Sequence, residues 1–143
     1  MPENVQTILV IDDHPLMRKG IVQLIAMENS LRLIGEAGDG QRGLELALRE
    51  RPDLILLDLN MRGLSGLETL KAIKAADLDS RVIILTVSDS EEDVVAALQM
   101  GADGYLLKDM EPEDVLHSLK TAAQGQIALG ERVTAINLRK LCE

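Results

Sequence analysis

Five short aliphatic runs alternate with five longer amphipathic segments along this chain, and that alternation leaves few folds open. The runs are residues 8–11 (ILVI), 31–34 (LRLI), 54–57 (LILL), 82–85 (VIIL) and 105–107 (YLL). The first, third and fourth have no polar alternation, the mark of strands covered on both faces of a parallel sheet. The second is interrupted by Arg32 and belongs toward a sheet edge.

The intervening segments carry helix signals. Pro15 suits a first helical position, and Met17, Ile21, Leu24 and Ile25 follow at helical spacing. Asp39 is a candidate cap for a second helix, whose Leu44, Ala47 and Leu48 form a stripe ending before Pro52. Ser65 with Glu68, and Ser90 with Asp93, read as capping boxes opening the third and fourth helices. The fourth stops near Gly101, and Pro112 opens a fifth that runs to Gly125. Strict alternation of strand and helix implies parallel strands joined by right-handed crossovers. The product is an open, doubly wound sheet whose strand C-termini share one edge, where ligands of such folds bind. The pattern does not fix the strand order.

Composition narrows the class. With 143 residues, 46% hydrophobic and 27% charged, the chain can bury the core of one domain. That core is aliphatic, because there is one Tyr and no Phe or Trp. A net charge of −9 argues against direct nucleic-acid binding, which needs clustered Lys and Arg. A single cysteine, Cys142, excludes an internal disulfide and a Cys-based zinc site. No apolar run approaches membrane-spanning length and "MPENVQT" does not resemble a signal peptide, so a cytoplasmic protein is expected.

Chemistry gathers after the runs. The first is followed by Asp12 and Asp13, the third by Asp58, the fourth by Thr86 and the fifth by Lys108. Singly, each has a plain structural use: Asp13 as a cap, Thr86 as a last strand residue, Lys108 as a solvated charge. Asp58 resists that treatment, because the next helix has its own cap in Ser65. Two carboxylates about 4 Å apart repel by ~4 kcal/mol at an effective dielectric of 20. Three of them against one lysine call for a cation, and oxygen ligands favour Mg²⁺ or another hard divalent ion. The sequence has no GxxxxGK[ST] and no GxGxxG, and the GDG at 38–40 places an acid where a phosphate-binding turn would avoid one. His117 falls mid-helix, His14 reads as a helix-entry residue rather than a base, and no Ser-His-Asp set is evident. The edge therefore reads as an acidic metal site suited to phosphoryl chemistry.

Residues 7–125 resemble the receiver domains of two-component response regulators. "VIDDH" is similar to the family's acidic pair, "LLDLNMRGLSG" to its phosphoacceptor loop with Gly66 in the glycine place, "ILTVSD" to its switch hydroxyl, and "GADGYLLKD" to its switch aromatic and lysine. "DDHPLMRKG", "EEDVVAAL" and "GADGYLLKDMEPEDVL" narrow the likeness to the NarL/FixJ group and its nitrate/nitrite regulators. The resemblance implies a flavodoxin-like (βα)5 three-layer sandwich with a five-stranded parallel sheet over residues 1–125. Residues 126–143 are then a terminal helix or the start of a linker to a LuxR-type helix-turn-helix domain that the chain has no room for. It implies Asp58 as phosphoacceptor; Asp12, Asp13, Asp58 and the Asn60 backbone carbonyl as Mg²⁺ ligands; and Thr86, Lys108 and Tyr105 as phosphoryl-contacting and switch residues. Tyr105 would rotate into space vacated by Thr86, while Asn60 and Ser88 would tune the lifetime of the phosphorylated form. The implied partners are a sensor histidine kinase, the chain's own DNA-binding domain and a second receiver copy. Arg62 and Asp109 depart from the family, standing where many receivers have proline.

Two other classes stay open on the residues alone. A Mg²⁺-dependent phosphatase with an aspartate nucleophile would also use a strand-end acid, but normally as DxD, whereas Asp12 and Asp13 are adjacent. A receiver-like interaction module that is never phosphorylated would not need all five positions filled.

Overall fold

The computed structural model of the chain describes residues 5–61, 65–130 and 133. The elements are β1 (Gln6–Ile11), α1 (Pro15–Ala26), β2 (Leu31–Ala37), α2 (Gly40–Glu50), β3 (Leu54–Leu57), α3 (Gly66–Ala75), β4 (Arg81–Thr86), α4 (Glu91–Gln99), β5 (Gly104–Leu107), α5 (Pro112–Ala123) and β6 (Ala128–Leu129). All strand pairs are parallel, in the order β2-β1-β3-β4-β5-β6. The order reverses between β1 and β3, so the crevice of a doubly wound sheet opens where these two strands end.

Alternation along the strands divides the core into two layers. Leu9, Ile11, Ile55, Leu57, Val82 and Ile84 pack on one face with Leu46, Leu70, Ile73, Val94 and Ala97 of α2, α3 and α4. Ile8, Val10, Leu54, Leu56, Ile83 and Leu85 pack on the other with Ile21, Ile25, Val115 and Leu119 of α1 and α5. Every residue of β3 is buried, as expected for a strand covered on both sides. Edge strand β2 retains exposed Arg32 and Glu36.

Helix entries follow their signals. Asp39 accepts from the Arg42 N–H, Ser65 from Glu68 and Ser90 from Asp93, each satisfying a first-turn donor that the helix cannot. Pro15 and Pro112 stand at the first positions of α1 and α5.

The sheet differs from expectation by a sixth strand. Ala128 and Leu129, in the stretch set apart from the five βα units, pair parallel with β5. Two residues between Gly125 and Gly130 carry no periodicity; what makes the strand is the open edge of β5. Val133 is fully buried in the α2–α4 layer. Arg62, Ile136, Leu141 and Cys142 lie outside the described residues. Among the described residues, no helix is long and apolar enough to cross a membrane.

Candidate functional site

The sheet ladder extends past the strand ends and fixes the acids. The Asp12 N–H donates to the Ala37 carbonyl (3.0 Å) and the Asp58 N–H to the Ile11 carbonyl (3.0 Å), so both residues are seated by backbone bonds. Gly66 secures the far side of the acceptor loop. A Cβ there would overlap the Leu59 Cα and the Asp58 carbonyl oxygen, backbone atoms that cannot swing away.

Asp12 and Asp58 are each only 2% exposed. Burial of two carboxylates requires a partner, and Lys108 supplies it: its Nζ lies 2.9 Å from Asp12 Oδ2 and 3.2 Å from Asp58 Oδ2. The lysine is itself positioned by its backbone N–H, which donates to the Thr86 carbonyl (2.9 Å). The Met110 N–H closes on the Leu107 carbonyl (3.1 Å), so the turn carrying Asp109 is hydrogen-bonded without a proline.

Asp13 stands beside this group, joined to it through His14. The imidazole Nδ1 lies 3.1 Å from Asp12 Oδ1, 3.1 Å from Asp13 Oδ1 and 3.5 Å from Asp58 Oδ2. One donor atom from each of Asp12, Asp13, His14 and Asp58 falls within 4.8 Å of the others. Three carboxylates so close suit a hard divalent cation. As expected, His14 precedes α1, but its ring turns inward over the acids, which its sequence position did not show. Arg18, one turn on, was also missed: its Nη1 donates to the Asp12 carbonyl (2.6 Å) and its Nε pairs with Glu36 (3.1 Å). The one available signal was its place four residues after His14.

Asn60 and Thr86 face each other across the site. The Asn60 N–H donates to Asp58 Oδ1 (3.2 Å), and its Nδ2 donates to Thr86 Oγ1 (3.1 Å). Thr86 is completely buried. The Ser88 hydroxyl donates to Asp93, on α4, so this side chain turns away from the acids.

Tyr105 differs from the expectation of an aromatic waiting to rotate inward. It is already fully buried, and its hydroxyl donates to the Ser88 carbonyl (2.8 Å). The β5 register aims the ring into the apolar layer that also holds Val94, Ala97 and Val133. Burial pushes the phenol up to about 12, against a smaller lowering from the Ser88 bond.

The fold and site together define a doubly wound α/β domain with a buried acid at its switch point, flanked by an acidic pair, a hydroxyl and a lysine. The model of the response regulator receiver domain matches residues 8–120, and the chain belongs to that family. It is 55% identical over 130 residues to the nitrate/nitrite response regulator protein NarL of Escherichia coli K12, covering 91% of this chain and 60% of that protein. It is 48% identical over 126 residues to NarP of the same strain, covering 88% and 59%. The chain thus spans about three fifths of the length of these curated relatives. Among solved structures, it matches a Mycobacterium tuberculosis signal receiver domain assigned to NarL, with 36% identity and a TM-score of 0.83, covering 86% of this chain and 99% of that one. A LuxR-family regulator from Aurantimonas sp. SI85-9A1 matches at 25% identity and a TM-score of 0.90, covering 97% and 99%.

Proposed function

We propose that this domain takes a phosphoryl group from a phosphohistidine of a sensor histidine kinase onto Asp58. The observation that carries this reading is the Asp58 carboxylate itself, buried at the end of a central strand with Lys108 on one oxygen and the acidic pair beside it. One Asp58 oxygen attacks phosphorus in line; the P–N bond breaks and the imidazole leaves with its electron pair. Lys108 offsets charge on the phosphoryl oxygens, so most of the catalysis is placement and electrostatics. Asp12, Asp13, Asp58 and the Asn60 carbonyl would hold Mg²⁺, which when bound neutralises charge on the same oxygens.

The product replaces a carboxylate by a more highly charged acyl phosphate. Thr86 donates its hydroxyl to a phosphoryl oxygen and gives up its contact with the Asn60 amide, which biases a two-state region around β4 and β5. Asn60 governs access of the water that later hydrolyses the acyl phosphate, and Ser88 acts on it after its hydroxyl leaves Asp93, so the domain assists both its own phosphorylation and its own dephosphorylation. By likeness to NarL and NarP, the signal is nitrate or nitrite, and the output is control of a C-terminal DNA-binding domain, with a second receiver copy as a further partner.

Incubation with a small acyl-phosphate donor and Mg²⁺ tests the reading by intact mass. One phosphoryl adduct is expected for the wild type, and none for Asp58→Asn or without a divalent ion. A wild type that stays unmodified, or an Asp58→Asn variant that is modified equally, contradicts it; steady turnover of phosphate esters points instead to a phosphatase.

A further inference from the structure

We propose that β6 is a strap bonded to the switch tyrosine, so that phosphorylation at Asp58 loosens the chain immediately after α5. This rests on the acceptor reading above and extends it to a strand outside the five βα units.

Three observations carry it. First, the strap is built on Tyr105: Leu129 is its register partner, and the Gly130 N–H donates to the Tyr105 carbonyl (3.1 Å). A further ladder bond, from the Ala128 N–H to the Asp103 carbonyl (3.0 Å), falls just before β5. Second, β5 has made room for it. A Cβ on Gly104 would sit 2.6 Å from the Ala128 carbonyl oxygen, so only glycine lets the strap approach so closely. Third, the strap belongs to both layers. Ala128 is buried in the α1–α5 layer, while Leu129 packs on the other layer, where Val133 shares the core with Tyr105.

An unbroken series of contacts joins this strap to the acceptor. The Asn60 N–H bonds Asp58, and the Asn60 amide bonds Thr86. The Ser88 N–H reaches Thr86 Oγ1 at 3.5 Å, and the Ser88 carbonyl receives the Tyr105 hydroxyl. Tyr105 then holds Gly130 through its carbonyl. If Thr86 is drawn toward a phosphoryl oxygen, the β4 end and the Ser88 carbonyl move with it. Tyr105 follows, because its ring is enclosed and its hydroxyl is tied. β5 is then pulled toward the site and away from its outer neighbour. The weakest member is β6, two residues long at the sheet edge, so strain is relieved there.

Hydrogen exchange of the Ala128 and Gly130 amides, measured with and without a small acyl-phosphate donor and Mg²⁺, tests the proposal. Loss of one ordinary hydrogen bond corresponds to exchange faster by about fivefold in the phosphorylated wild type. Tyr105→Phe, which keeps the ring and removes the tie to Ser88, should lose that response when compared with the wild type at equal adduct by intact mass. Gly104→Ala should exchange rapidly at both amides even without the donor, while its acceptor chemistry persists. Intact mass separates the two levels of the argument: absence of an adduct refutes the acceptor reading. A full adduct with unchanged exchange at 128 and 130, or an undiminished response in Tyr105→Phe, overturns the strap.

Discussion

Replacing Lys108 with methionine keeps most of the side-chain volume and removes the one ammonium shared by two buried carboxylates. At 2.9 Å and 3.2 Å, each contact is worth about 5 kcal/mol gross at an effective dielectric of 20. Desolvation of the lysine offsets much of that, but the substitution leaves the Asp12 and Asp58 carboxylates buried without its charge, beside the His14 ring and the backbone N–H groups of His14 and Asn60. Breaking such a group from one side costs about 3–5 kcal/mol, a large share of the stability of a domain this size. In urea without divalent ions, Lys108→Met should therefore unfold about 2 M earlier than the wild type. Mg²⁺ should then recover more stability in the variant than in the wild type, because the ion no longer meets a competing cation at the same carboxylates. At a hundredfold excess over its dissociation constant, a bound ion contributes about 2.7 kcal/mol. A loss below about 1 kcal/mol, or equal Mg²⁺ stabilisation of both proteins, would refute the idea that Lys108 holds the acids together.

Other outcomes follow from the same contacts. Gly66→Ala should cost about 2 kcal/mol or more and slow phosphoryl uptake, because backbone rather than a side chain must move; equilibrium unfolding and intact-mass kinetics check both. Thr86→Val removes the acceptor of the Asn60 amide and should cost about 1 kcal/mol while leaving Asp58 able to accept phosphate. Tyr105 gives a pH dependence with a definite sign. Its phenol stands at about 12 in the fold against 10.0 for the free side chain, so the unfolded chain releases the proton first. Stability present below pH 10 should therefore fall as the pH rises through that interval. Ultraviolet titration of the single tyrosine reads this directly, and a phenol that ionises at its free value in the folded protein would contradict it.

The central strands were legible because residues 8–11, 54–57 and 82–85 have no polar interruption, which only a sheet covered on both faces accommodates. Arg32 marked β2 as an edge for the converse reason. The nearness of Asp12, Asp13, Asp58 and Lys108 followed from topology, since parallel strands place all their C-terminal ends together. What stayed hidden depends on tertiary contact. β6 has two residues and no pattern; it exists because Gly104 leaves space beside β5. The inward turn of His14 depends on how the chain enters α1. The buried position of Tyr105 depends on the α4 side chains around it and on the Ser88 carbonyl, neither of which is encoded in the run YLL.

The position of the phosphoryl group on the chain tests the role of Asp58 without intermediaries. Reduction of an acyl phosphate converts that carboxyl carbon to an alcohol, so peptide sequencing of the reduced protein identifies the acceptor. Transfer to Asp58 leaves homoserine in its place, with Asp12 and Asp13 unchanged. Homoserine at either of those positions, or a phosphorylated protein in which Asp58 is intact, would contradict it.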